Sequence, residues 1–171
     1  MAAKLITLGL TKIEIGDILT DGSMGTTLTQ IGYTDRDSCV FSSEDPEETE
    51  IEVEEVDDPI DIITKGGKKT LKFTLADPDE TALALLMGGT GDTTTGQESY
   101  TAPDTFPITE QSIKVTPNKG LILSIPRARI VAKWNGTFSK TSQFKIDVVA
   151  TVMTPTKSGL APFSTTRVSA T

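Results

Sequence analysis

Residues 44–61 read EDPEETEIEVEEVDDPID, with eleven carboxylates and no base. Inside this run Thr49, Ile51 and Val53 alternate with Glu50, Glu52 and Glu54. A period of two is that of a β-strand, whose successive side chains point to opposite faces. The spacing therefore predicts a strand over residues 49–56, apolar on one face and acidic on the other. The chain's formal charge is −8, so setting aside the eleven acids leaves about +3. Its acidity is local, concentrated on one surface.

Working outward, strand patterns recur on both sides of this run. Leu8, Leu10, Ile13 and Ile15 interleave with polar residues, and turn residues from Gly16 to Gly25 return the chain toward a second strand over 27–33. Residues 35–46 read as an exposed loop. Pro59 interrupts the acidic strand, so residues 59–67 read as an irregular crossing or part of a long hairpin. Leu71, Phe73 and Leu75 alternate with Lys72 and Thr74 in a further strand over 68–75, whose lysines would pair with the glutamates across strands.

One helix is predicted. Asp77 is placed to cap it, Pro78 suits its first turn, Glu80 follows three residues after the cap, and Gly88-Gly89 stops it. Leu83, Leu86 and Met87 share a stripe at helical spacing, while Leu85 points elsewhere and is assigned to a subunit contact. Residues 90–107, rich in glycine, threonine and proline, read as a long loop. Three strands close the pattern: about 113–115, 121–134 with a break at Pro126, and 144–152. The fold class is mainly β with one short flanking helix. A β domain over 1–153 is followed by a C-terminal arm over 154–171 that lacks periodicity.

Composition excludes several functions. The 171 residues suffice for one buried core. Apolar residues make up 36% and aromatics 5%, a thin supply that contacts with other subunits would supplement. A net negative chain does not grip a phosphate backbone by charge. Residues 1–10 hold one lysine and a short apolar stretch, too brief for a secretory core or a membrane span, so the expectation is synthesis in the cytoplasm and no membrane partner. The single cysteine, Cys39, rules out an internal disulfide and reads as a small, partly buried side chain.

Catalytic patterns are missing too. There is no histidine, hence neither the commonest general base nor the commonest zinc ligand. Gly66-Gly67-Lys68-Lys69-Thr70 fails the phosphate-loop spacing, which needs glycine where Ile62 stands. Gly88-Gly89-Thr90-Gly91 follows a helix instead of opening one. The acidic run has no calcium-loop pattern, and carboxylates alternating along a strand spread out instead of converging. The expectation is a non-enzymatic chain without cofactor or metal. Glu50, Glu52 and Glu54 then form either a solvated face that blocks edge pairing or a wall of a shared channel.

The order of these features resembles that of tail tube (major tail) proteins of long-tailed bacteriophages over roughly residues 5–155. Carrying the resemblance are a first strand ending in Gly16-Asp17-Ile18, the acidic strand, Pro59-Ile60-Asp61 leading through Gly66-Gly67, the strand Leu71-Lys72-Phe73-Thr74-Leu75, and a helix closing in Leu85-Leu86-Met87-Gly88-Gly89-Thr90. The resemblance implies a tail-tube-like β-sandwich or split barrel that assembles as hexameric rings stacked into a tube in the virion. It also implies contacts with other tail proteins through termini and long loops, and DNA passing through the lumen without specific binding. Glu50, Glu52 and Glu54 are the candidates to face that lumen. A tube protein of a contractile injection or secretion machine, or a pilus-type surface adhesion domain, is the alternative.

Overall fold

In the computed structural model, described over residues 5–168, the elements run β1 (Lys12–Gly16), β2 (Thr29–Gln30), β3 (Val40–Ser43), β4 (Glu47–Val53), β5 (Val56–Lys65), β6 (Lys69–Leu75) and α1 (Glu80–Met87). They continue with β7 (Thr90–Asp92), β8 (Ser99–Thr101), β9 (Thr109–Thr116), β10 (Leu121–Asn135), β11 (Lys145–Val152) and β12 (Ser164–Arg167). The fold is mainly β with one short helix, as the sequence predicts.

One antiparallel sheet in the order β2-β1-β9-β10-β11-β6-β3 holds the core, with β12 paired to β10. Alternation puts Ile13 and Ile15, Ile113, Ile125 and Ile130, Ile146 and Val148, and Leu71, Phe73 and Leu75 into a single buried cluster. Leu83 and Leu86 of α1 join it, and the helix lies against β9, β10 and the β7–β8 hairpin. Leu85 is half-buried at the cluster's margin.

The sheet curls until its two edges nearly meet, yet it does not close into a barrel. Ile31 N–H donates to Ile13 O (3.2 Å) on β1, whereas Ala76 N–H donates to Tyr33 O (2.9 Å) and Asp35 N–H to Thr74 O (2.8 Å) at β6. A single strip of chain thus passes from one sheet edge to the other within a few residues. Gly32 sits at the switch with φ +89°, where an added Cβ would lie 2.4 Å from Asp77 O. Lys145 Nζ donates to the Asp35 carboxylate (2.7 Å), and this bond holds the carboxyl below its usual range. A depressed carboxyl adds stability that is fully present above the unfolded value near ~3.9 and is lost as pH falls through the lower folded value.

β10 is long because it serves two partners. Residues Leu121–Ser124 pair with β12, residues Ala128–Asn135 pair with β11, and the register against β9 shifts between Ile125 and Ala128. Pro126 occupies that shift, where its missing N–H costs no ladder bond. Its carbonyl accepts from Ser112 Oγ (2.8 Å), which in turn accepts from Gly25 N–H (2.8 Å), and Ser112 is fully buried. The expected break at Pro126 is therefore a bulge inside a continuous strand.

Several local expectations are corrected. Asp79, not Asp77, caps the helix, accepting from Ala82 N–H (2.6 Å), because residue 77 is still packed against Gly32. Residues 90–107 are no structureless loop: β7 and β8 form a hairpin whose Tyr100 hydroxyl donates to Gly88 O (2.9 Å). Residues 35–46 contain β3, an edge strand on β6. In the stretch 154–168, β12 pairs with β10 and Lys157 Nζ meets the Asp21 carboxylate at 2.8 Å. The last arm residues, 169–171, lie outside the described part of the chain.

Leu83→Ala is expected to cost about 2–5 kcal/mol, and Leu85→Ala less than half as much, by urea unfolding of the two variants. An equal loss from both would place Leu85 in the core.

Candidate functional site

The acidic run builds a hairpin that leaves the body of the protein. β3 pairs with β6 from Val40↔Lys72 to Ser43↔Lys69, and β4 pairs with β5 from Glu47↔Lys65 to Ile51↔Asp61. Each residue gained on one strand is matched by one on the other, and Glu44 N–H donates to Lys68 O (2.8 Å) between the two stretches. The two ladders are one continuous antiparallel pair. Its inner part is an edge of the large sheet; its outer part has no sheet beside it. Gly67 marks the crossing, where an added Cβ would lie 1.9 Å from Glu44 O. From Ser43 to the turn the arm reaches roughly 30 Å at about 3.3 Å per residue.

This geometry corrects the expected strand over 49–56. β4 ends at Val53, Glu54 and Glu55 make the turn, and Val53 faces Val56. Pro59 does not interrupt the strand, since β5 runs through it at a register shift between Ile51 and Val53. A proline is tolerated there because the irregular stretch asks for no N–H. The lysines of β6 do not face the glutamates either: Lys72 lies between Val149 of β11 and Val40 of β3.

The three glutamates are spread along the arm. Glu50 is in the ladder opposite Ile62, Glu52 is at the register shift, and Glu54 is in the turn. The partner strand blurs the one-sided pattern of β4, since Glu48 and Glu50 face Thr64 and Ile62 while Thr49 and Ile51 face Ile63 and Asp61. Every residue of β4 and β5 is exposed. Nine carboxylates against Lys65 give residues 47–65 a charge of −8, which equals that of the whole chain and leaves the rest neutral. Ile51, Val53, Val56, Ile60, Ile62 and Ile63 are exposed with them. Among the described residues no cluster of three or more acids and cysteines is arranged to hold a metal.

Leu85 lies far from this arm in sequence and setting. It lines a hollow of about 410 Å³ with Ile15, Ile18, Leu19 and Thr27, between the helix and the turn region after β1. A larger cavity, about 960 Å³, opens between β1, the strip at Gly32 and β12, lined by Leu10, Cys39, Leu71, Leu123 and Phe163. Burial raises the Cys39 thiol above its ordinary value, which keeps it protonated and unreactive.

A second exposed feature is less visible in the sequence. The end of β10 and the β10–β11 connection carry Trp134, Phe138 and Phe144, with ring centroids 5.4 Å apart for Trp134–Phe144 and 4.8 Å for Phe138–Phe144. Phe138 is 91% exposed. Asn135-Gly136 reads as a plain turn, but three of the chain's nine aromatics within residues 134–144 are the signal that marks this loop as a surface.

None of the curated proteins matches this chain. The family model described as "Phage tail tube protein" matches residues 16–169 of the 171. That span runs from the last residue of β1 through β12 and takes in the arm, the helix and every strand of the curled sheet except most of β1. Its members are structural components of the virion tail, assembled with other tail subunits after synthesis in the host cytoplasm. With that match over nearly its whole length, the chain belongs to the phage tail tube protein family.

Proposed function

We propose that the protein forms hexameric rings that stack into a hollow tube, and that its acidic arms give the lumen a negative wall past which DNA moves without specific binding. The observation that carries this reading is the arm over residues 47–65, exposed on both faces and holding a charge equal to that of the chain. An isolated two-stranded hairpin is at best marginal in water. With six exposed aliphatic side chains, it gains stability by packing on a neighbour.

Once one side of the arm is covered, Glu50, Glu52 and Glu54 are free to face the channel. Their charge repels phosphate, whereas a basic wall would hold DNA by counterion release and slow its passage. Leu85, half-buried beside a shallow hollow, is the proposed contact with an adjacent subunit in the ring. Residues 1–153 form the ring-building domain, and the segment from 154, anchored to its own chain where β12 pairs with β10, reaches from there toward a neighbouring copy.

Electron microscopy and sedimentation at rising concentration test the assembly: rings and tubes are expected, and monomers at every concentration would refute it. The lumen assignment is tested with Glu50→Lys/Glu52→Lys/Glu54→Lys. Tubes with this change are expected to retain DNA or release it slowly, with the defect relieved by salt. Normal DNA delivery by the triple variant would remove the lumen role while leaving the tube.

A further inference from the structure

The acidic arm and the aromatic β10–β11 loop lie at opposite ends of the same strands. β6 begins at Lys69, where the ladder continues into the arm, and ends at Leu75 opposite Ile146 of β11. From that end β10 and β11 run on to Asn135↔Lys145 and into the loop. One feature points out of each end of the sheet.

The two ends are chemically complementary. Residues 52–58 at the outer turn hold Glu52, Glu54, Glu55, Asp57 and Asp58 without a base. Residues 133–145 hold Lys133, Lys140 and Lys145 without an acid. Lys145 is held by Asp35 (2.7 Å), while Lys133 and Lys140 are exposed and in no ion pair among the described residues. Each end also presents apolar surface: Val53 and Val56 flanking the turn, Trp134 at the end of β10 and Phe138 on the loop. Aromatic anchors ringed by charge are the composition that carries binding energy in protein interfaces.

Resting on the tube reading above, we infer that copies stack head to tail through this pair: the turn around Val53 and Val56 of one copy docks on the Trp134–Phe138 surface of a second copy. Glu55, Asp57 and Asp58 meet Lys133 and Lys140, and the two valines cover the rings. A contact between different surfaces at opposite ends is heterologous. It leaves one arm and one loop unused at the two ends of any stack, so growth continues. A second copy fits the loop better than nucleic acid does, because two free lysines neutralise few phosphates, whereas the turn of another copy brings carboxylates for the lysines and valines for the rings.

Two variants of the full chain test the pairing. The arm variant carries Glu55→Gln/Asp57→Asn/Asp58→Asn and the loop variant Lys133→Gln/Lys140→Gln/Phe138→Ala; circular dichroism checks that both are folded. Each alone is expected to associate end to end at least tenfold more weakly than the unaltered chain. Mixed in equal amounts they are expected to sediment as pairs, because the intact arm of the loop variant meets the intact loop of the arm variant. Self-association of either variant at the unaltered strength, or a mixture that sediments as its separate parts, would overturn the docking. So would binding of a labelled DNA duplex by the arm variant that the loop substitutions abolish. Pairing is read on two chains whether or not tubes form, so tubes without pairing refute this contact alone, and pairing without tubes refutes only the tube.

Discussion

A single antiparallel ladder, begun at the edge of the sheet and continued beyond it, is the constraint on which the rest depends. Between Val40↔Lys72 and Ile51↔Asp61 the pairing keeps one register. The inner half is held by the core on one face through Leu71 and Phe73. The outer half keeps its hydrogen bonds but has nothing to bury its side chains against. Hydrogen bonds exchanged with water contribute little net stability, about 1 kcal/mol each, so apolar burial decides where such a strand pair rests. The sequence gives the arm aliphatic side chains and the fold gives them no cover within the chain.

Charge sharpens this division. Placing the chain's net −8 on residues 47–65 leaves the body neutral overall. The body can then approach other bodies without long-range repulsion, while the arms repel one another except where salt or a basic surface screens them. The loop with Lys133 and Lys140 supplies such a surface at the far end of the same strands. The neutral body and the separated poles follow from which residues the ladder carries outward.

Much of the fold was legible because it rests on local periodicity. Phe73 alternating with Leu71 and Leu75, Val148 with Ile146 and Ala150, and Gly88 ending a helical stripe are each readable within ten residues. What stayed hidden depends on pairing across the chain. Nothing near Pro126 announces that Ser112 will satisfy its carbonyl. Ser164–Arg167 has no alternation of its own and becomes a strand only because β10 offers an edge. Glu50 was recognisable as a strand residue, but the mixed faces of the arm come from Ile60, Ile62 and Ile63 on the opposite strand. Which residue stands opposite which is set by the turn at Glu54-Glu55.

The account's central claim is that the outer arm is completed by a neighbouring subunit. Cryo-electron microscopy of the assembled protein, at a resolution that traces the arm over residues 47–65, tests it most directly. The arm is expected to lie against another copy, with Ile51, Val53 and Val56 removed from solvent. An arm left in solvent on the outside of the assembly, touching no other subunit, would contradict the account.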